Sequence, residues 1–490
     1  MKNNLFKIIL QNLVLSAIFI IISICFAEEP ITVSIEAINH DIYAGSTVAF
    51  KANLTNTDIQ TVIWTASDGI IDSKGVFYAP SYESKIIITA TSIIDPTKSD
   101  SVEIKIKVVK EEWSNDFSIQ SGFSLSPSSP DFFQKAIATD NQANLYITGN
   151  IYGNSDDSNH GLLDGFLVKY DEDGQKLWEL DISSDGLDRV SALELDSAGN
   201  IYLIGESSGA IFTHSFVSED GPDPYTNPFI VKYDSDGNEL WHKWIFSDFS
   251  AFYSLNLAVA NDNSVIITAQ IYSSFDGDNN LILKYDASGN IIWQKKENTE
   301  IIHLVVDDDS NFYTITQDKQ IARLSKFDSN GNELWQTAIE YGSAQALTSE
   351  SNTIIIAGGL YESDDIYIAK YSTNGKKLWL QQFESLNPIS VGDLITDTDG
   401  NIYLAGQSGN TDWNNSEIED KDDIYILKYN SKGKEIWHKW LNTDLFYFAR
   451  ALAVDKHNNL YLAGDSGGKY FELTKYSIAF TKSMLIKYKQ

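Results

Sequence analysis

The sequence predicts an all-β chain in two parts: a small β-sandwich, then a closed array of seven repeated four-stranded sheets. Three observations carry that prediction. Short alternating strands, punctuated by Gly, Asn, Asp and Pro, run through residues 31–110. From Trp113 onward, a Trp and a Lys-aromatic pair recur seven times each. The two recurring columns are out of phase, which is the mark of a ring closed by its own N-terminal strand.

Composition bounds the problem first. The chain has 490 residues, 36 Lys and Arg against 68 Asp and Glu, and a formal charge of −32. At 43% hydrophobic it is globular rather than disordered. It is too long for one small core. Only Arg189, Arg323 and Arg450 carry a guanidinium. An acidic, Arg-poor chain binds phosphate backbones poorly, which argues against nucleic acid and anionic lipid as partners.

Residues 1–27 read as a secretory signal peptide. Lys2 and Lys7 give the charged start, Leu13 to Phe26 the apolar stretch, and Cys25 and Ala27 the small residues before Glu28. Cleavage there leaves 463 residues (490 − 27) at a charge of −34, two Lys being removed. Two rival readings stay open. One is an uncleaved anchor, although the apolar run falls short of the roughly 20 residues a spanning helix needs. The other is lipidation of Cys25, although Ile24 sits where a small residue is wanted. Cys25 is the sole cysteine, so the mature chain has no disulfide, thiolate metal site or cysteine nucleophile. No later apolar run is long enough to cross a membrane. The expected address is secreted, extracellular or cell-surface, with the periplasm open.

Residues 28–110 form the predicted sandwich. Its strands are Ile31 to Ile35, Thr47 to Phe50, Val62 to Trp64, Lys85 to Ala90 and Val102 to Val109, with Trp64 as the core plug. The run Gly75-Val76-Phe77-Tyr78-Ala79-Pro80, followed by Ile88-Thr89-Ala90-Thr91-Ser92, resembles bacterial immunoglobulin-like (Big) domains. That resemblance covers about 80 residues and implies a spacer or adhesive module.

Residues 111–490 repeat one unit. An apolar strand ends in Asp; a turn leads to a strand bearing Tyr and Gly; a variable loop follows. An apolar strand then ends in Lys-Tyr, and an Asp-x-x-Gly turn precedes a Trp. The pairs are Lys169-Tyr170, Lys232-Tyr233, Lys284-Tyr285, Lys326-Phe327, Lys370-Tyr371, Lys428-Tyr429 and Lys487-Tyr488. The Trp column is Trp113, Trp178, Trp241, Trp293, Trp335, Trp379 and Trp437. Trp113 precedes the first unit, and the last unit ends after Lys487-Tyr488 without a Trp. The N-terminal strand therefore completes the last sheet, and residues 111–490 are expected to form a seven-bladed β-propeller. An open solenoid would need capping units and leaves the phase shift unexplained.

Hairpin turns such as Asp196-Ser197-Ala198-Gly199-Asn200 and Asp397-Thr398-Asp399-Gly400-Asn401 fit this reading. The pattern resembles the SBBP β-propeller repeat of secreted bacterial proteins over essentially all of residues 113–490. The resemblance implies a fold and a secreted address, and no catalytic motif.

A residue present in every unit serves the scaffold. The Trp column is expected to pack between sheets. The recurring Lys is expected to lay its stem on an aromatic, with its head in solvent or near a turn Asp. Departures from the repeat are the candidate sites, and the long loops hold most of them. For ligand contact we single out Trp413 with Asp364, Asp365, Asp420, Asp422 and Asp423, and the aromatic linker residues Phe249 and Phe446. Phe249 and Phe446 follow the matching segments Trp241-His242-Lys243-Trp244 and Trp437-His438-Lys439-Trp440. For a hard cation we single out Asp276 and Asp278 with Asp156 and Asp157, because Ca²⁺ takes several carboxylate and carbonyl oxygens. Asp276 to Asn280 and Asp397 to Asn401 both lack the Gly at position six of an EF-hand loop. Each feature has a plain alternative: acidic loops are commonly solvated, an Asp before a strand commonly makes an Asx turn, and the aromatic linkers can pack under the rim.

No His-Glu-x-x-His pair, Gly-x-Ser-x-Gly elbow or phosphate loop is present. Asp-x-x-Gly-x-x-x-Trp also resembles the turn of pyrroloquinoline-quinone-type propellers. The quinone dehydrogenases among them use neighbouring cysteines that this chain lacks. The expected function is a non-enzymatic binding or adhesion protein for an extracellular glycan, protein or matrix partner, with Ca²⁺ as the one cofactor considered. An extracellular carbohydrate-active enzyme with two carboxylates in the funnel is the alternative, and a structural envelope component is the third reading.

Overall fold

The computed structural model describes residues 30–36, 42–117, 123–124, 136–151, 163–184, 186–209, 217–218, 221–222, 227–245, 251–272, 279–317, 321–361, 363–383, 389–408, 423–441, 446–467 and 482–489. Every regular element among them is a β-strand. The chain divides into two compact units, Met1–Val108 and Val109–Gln490.

The first unit contains a four-stranded sheet in the order Ile42–Tyr43, Ser99–Lys107, Ser84–Ser92, Val62–Ala66. A three-stranded sheet orders Thr47–Ala49, Val76–Tyr78 and Ile70–Ile71, and Thr32–Ile35 pairs with Ala52–Thr55. Alternation decides the core: Ile86, Ile88 and Ala90 are buried, while Lys85 and Ile87 are exposed and Thr89 is half-buried. Phe50, Phe77, Ile86, Ile88 and Ile106 form the core, and Trp64 packs against it. The Phe50 ring lies 6.2 Å from both Trp64 and Phe77. Gly75 is required on two counts. Its φ is +83°, and a Cβ there would meet the Phe50 carbonyl at 2.6 Å and the Trp64 indole nitrogen at 2.9 Å.

The second unit contains seven antiparallel sheets of four or five strands among the described residues. Sheet two shows the plan: Asp188–Leu195 is innermost, then Ile201–Ser207, Asn227–Tyr233 and the outermost Glu239–Trp244. Sheet one has a split first position, because Phe123–Ser124 and Ile137–Thr139 both pair with Leu145–Ile151. The innermost strands of sheets three to seven are Ala251–Val259, Ile301–Val306, Ala346–Glu350, Ile389–Thr396 and Phe446–Val454. Each touches the next, Phe446–Val454 touches Ile137–Thr139, and Ile137–Thr139 touches Asp188–Leu195, so the contacts form a cycle. This explains the sequence pattern. Ile201 to Ile204 and Phe229 to Val231 are unbroken apolar runs because neighbouring sheets cover both faces. The outermost Glu239–Trp244 has solvent at its edge and is buried nowhere along its length.

Sheet seven takes its outermost strand from the start of the unit. Lys110–Phe117 pairs antiparallel with Lys482–Lys489, and Trp113 faces Lys487. In the same register Trp178 faces Lys169, Trp241 faces Lys232 and Trp293 faces Lys284. Trp335 likewise faces Lys326, Trp379 faces Lys370 and Trp437 faces Lys428.

The two repeated residues join neighbouring sheets. The indole N–H of Trp178 donates to the Ser235 carbonyl (3.3 Å), that of Trp241 to Ala287 (3.1 Å), and that of Trp335 to Thr373 (3.0 Å). Each acceptor lies in the outer turn of the next sheet. The ring lies over that turn's glycine, so a Cβ on Gly289 would come within 2.9 Å of Trp241. All seven recurring lysines are buried, at 4–8% exposure. Their heads are not in solvent; they stop against anions or carbonyls. Lys232 Nζ sits 3.1 Å from Asp196 and Lys326 Nζ 3.2 Å from Asp307. Lys169, Lys284 and Lys487 donate to the carbonyls of Ser235, Ser329 and Glu172 at 2.9–3.0 Å. Lys232 and Lys428 also lie over the rings of Tyr202 and Tyr403, at 4.6 and 4.7 Å from the centroids. In the fifth sheet, which lacks this Asp, Glu350 pairs with Lys370 at 2.7 Å.

The turn aspartates are consumed by the fold. Asp397 accepts the backbone N–H groups of Asp399 and Asn401, the Asn401 side-chain amide (2.8 Å) and the Tyr403 hydroxyl (3.0 Å). Burial pushes the Asp196 carboxyl up, but hydrogen bonds from Asn200 and Lys232 outweigh it and hold its pKa below the ordinary value.

Removing one partner of a buried pair leaves the other charge uncompensated. Lys232→Met is expected to destabilise the protein by about 3–5 kcal/mol in denaturant unfolding. Lys176→Met, which breaks the exposed pair with Glu179, is expected to cost less than about 1 kcal/mol. Equal effects would contradict the buried-pair account.

Candidate functional site

Antiparallel order puts two kinds of connection at opposite ends of the second unit. Six of the seven turns from innermost to second strand leave five residues between strands, as Leu195 to Ile201, Thr396 to Ile402 and Val454 to Leu460 do, and Glu350 to Thr353 leaves two. The connections from second to third strand vary widely. Gln317 to Ala322 leaves four residues and Ser207 to Asn227 leaves nineteen. Variation is concentrated at the long-connection end, where a scaffold can accept change without losing its turns.

Of the residues singled out from sequence, Asp364, Asp365, Asp423 and Phe446 are described, and they lie at that end. Asp364 and Asp365 sit in the connection before Ile366–Ser372. Asp364 is exposed and Asp365 half-buried. The Asp365 carbonyl accepts the Leu360 N–H (2.9 Å), and the Asp364 carbonyl accepts the Ile389 N–H of the next sheet (3.3 Å). The main chain of this pair ties a loop down. Asp423 opens the strand Asp423–Tyr429 opposite Ser408, and Phe446 opens Phe446–Val454 opposite Gly467. Trp413, Asp420, Asp422, Phe249, Asp276, Asp278, Asp156 and Asp157 lie outside the described residues. Among the described residues, no group of three or more His, Cys, Asp or Glu is placed to hold a metal ion.

A cavity of about 60 Å³ opens on the axis of the second unit, between the innermost strands. That is room for a few water molecules and far below the roughly 300 Å³ of a small-molecule pocket. Its polar lining comes from Asn256, His303, Gln345, Asp393 and Arg450. It contributes one carboxylate, so a two-carboxylate hydrolytic site does not form from this lining.

These side chains link consecutive sheets. The Asn256 amide donates to the Ile301 carbonyl (3.3 Å) and to the Thr268 hydroxyl (3.0 Å). His303 hydrogen-bonds the backbone of Ala344 and Gln345. Gln345 Oε1 accepts the Val391 N–H (3.3 Å). Asp393 accepts the N–H groups of Leu394 and Leu452, both at 2.7 Å. The remaining junctions are made the same way. Asn150 exchanges two hydrogen bonds with Val190, Glu194 accepts the Val259 N–H (3.1 Å), and Thr139 donates to the Val454 carbonyl (2.8 Å). The circuit passes through all seven sheets.

Sequence reasoning missed the axial residues. The signal was present: counting back from the recurring Leu of each innermost strand (Ile137 in the first), the preceding position is Ala136, Ala192, Ala346 and Ala451 in four sheets. In the other three it is Asn256, His303 and Asp393. Looking for departures within strands, as well as within loops, would have found them.

Burial pulls the His303 pKa from 6.5 to about 4, against hydrogen bonds to Ala344 and Gln345 that favour its charged form. The folded state thus binds this proton more weakly than the unfolded chain. The stabilising contribution is full above pH 6.5 and is lost as pH falls toward 4. Acidification from pH 7 to 5 is expected to cost about 2 kcal/mol through this group. His303→Gln is expected to show a correspondingly smaller loss in melts at the two pH values; an identical loss would contradict the assignment.

A family model described as outer membrane protein assembly factor BamB matches residues 227–422. An uncharacterized WD repeat-containing protein of Acanthamoeba polyphaga mimivirus is 23% identical over 68% of this chain, and the match spans 29% of that relative's length. The β-propeller domain of the Trilobed protease from Pyrococcus furiosus matches 71% of this chain and 94% of its own at 12% identity, with a TM-score of 0.41. Kuenenia stuttgartiensis hydrazine synthase matches 69% of this chain and 93% of its own at 10% identity, with a TM-score of 0.41. With the repeat-family match and the cycle of radial sheets, the second unit is a β-propeller.

Proposed function

We propose that this chain is an exported, non-enzymatic binding protein whose propeller contacts an extracellular glycan, protein or matrix partner through its long-connection end. In this reading residues 1–27 are a cleaved signal, residues 28–110 an Ig-like spacer of the Big type, and the seven sheets are seven SBBP-type blades. The observation that carries it is the contrast in connections, two to five residues at the short turns against four to nineteen at the opposite end. The small axial cavity supports a surface-binding mode over a buried cofactor or substrate. The acidic connections make Ca²⁺ the natural ion for such an interface.

Three measurements test this. The N-terminus of the protein recovered after expression with its full leader is expected to be Glu28. On a glycan array and on immobilised matrix proteins, Trp413→Ala is expected to lose at least tenfold in affinity. Asp173→Ala, in a short turn of the opposite end, is expected to leave it unchanged. Equal behaviour of the two variants would move the contact surface elsewhere. Melts of residues 28–490 in EDTA and in millimolar Ca²⁺ address the ion. Saturation at about 100 times the dissociation constant adds roughly 2.7 kcal/mol, and coincident melts would remove Ca²⁺ from the proposal.

A further inference from the structure

Among its described residues, the first unit has a five-residue edge strand with none of the usual protection. Val62–Ala66 closes one side of the four-stranded sheet. The bonds from Ile93 N–H to the Thr61 carbonyl and from Ser67 N–H to the Ile87 carbonyl set its phase: odd-numbered residues bond to Ser84–Ser92. The N–H and C=O groups of Val62, Trp64 and Ala66 therefore point away from the sheet. From Ile59 to Ser67 the segment carries no charge. Ile63 is 53% exposed on it, with Ile59, Ile93 and Ile94 at 47–49% beside it.

Most other edges among the described residues are guarded or short. Each of the seven outermost propeller strands carries at least one charged residue, such as Glu179, Lys243, Lys296 or Glu333. Ile42–Tyr43 and Ile70–Ile71 are two residues long. Ala52–Thr55 is blocked by a side chain: Gln60 Oε1 accepts the Leu54 N–H and Gln60 Nε2 donates to its carbonyl, both at 3.0 Å.

We propose that Val62–Ala66 pairs antiparallel with the same strand of a second copy of this chain. A two-fold axis at Trp64 sets Val62 against Ala66 of the second copy, so all the outward backbone groups meet as hydrogen-bonding pairs. Ile63 then faces Thr65 on the solvent side. The same register sets Asp58 against Ile70 and Asp68 against Gln60, so no two carboxylates oppose each other. In a chain of charge −32, this uncharged segment is where two copies can approach without repulsion.

Sedimentation of the chain from Glu28 onward, from about 1 to about 100 µM, tests the pairing. The unaltered chain and Leu334→Lys, a change at an equally exposed apolar position of an outer propeller strand, are expected to dimerise as concentration rises. Val62→Pro removes an outward donor at the first residue of an edge strand, where Pro is tolerated. Ile63→Lys places like charges across the axis and leaves the core untouched. Both are expected to remain monomeric with unchanged thermal midpoints. A monomeric unaltered chain, or dimers that persist in Ile63→Lys, would overturn the proposal.

Discussion

The second unit depends on one pairing, that of Lys110–Phe117 with Lys482–Lys489. Without it the seventh sheet would end on the exposed edge of its third strand, a row of unpaired backbone groups. Two strands more than 360 residues apart in sequence must meet in register for the cycle to close. The register is the common one: Trp113 faces Lys487 as each other Trp of the column faces its own Lys. Closure therefore adds no new geometry. It reuses the pairing found within each of the other six sheets and ties both ends of the unit to one sheet.

Two polar systems hold the cycle at different radii. At the outside, an indole N–H and a buried ammonium reach the outer turn of the next sheet. On the axis, one side chain per junction satisfies a backbone group of the neighbouring strand. Burying seven ammonium groups is costly unless each finds an anion or carbonyl. That is why the turn Asp recurs, and why Glu350 reaches Lys370 in the fifth sheet, which lacks it. Radial sheets share only apolar faces, which do not specify orientation. The directional bonds at the two radii supply it. The seam departs from this pattern. Trp437 is buried, yet no outer turn follows it in the seventh sheet; there Lys439 reaches the Val109 carbonyl (3.5 Å) and lies over the Tyr488 ring (4.5 Å).

The columns were legible because they repeat. A residue present in every unit reports a contact made in every sheet, and the phase of Trp113 against Lys487-Tyr488 already implied closure. The lysine heads were only half legible. A Lys beside a Tyr reads equally as a snorkelling surface residue, and it takes the next sheet's turn, distant in sequence, to enclose it. The axial residues were illegible to a search confined to loops. Asn256, His303 and Asp393 each replace an Ala inside an apolar strand, one position from a buried Leu, where alternation hides a single polar residue. The sandwich strands were legible from alternation, but the missing protection of Val62–Ala66 emerged only once its neighbours were placed.

The most direct test of closure is a cross-link. Cys25 is the sole native cysteine, so the chain from Glu28 is a clean background. Ser114→Cys with Ile486→Cys places two thiols at facing positions of the closing pair, within the reach of a disulfide. Oxidation of the folded protein is expected to give the bridge in full and to stabilise the unit by about 4–5 kcal/mol, as expected for a very long loop. The off-register combination of Ser114→Cys with Met484→Cys is expected to stay reduced. Failure of the first pair to bridge, or equal bridging by both, would contradict a ring closed by its N-terminal strand.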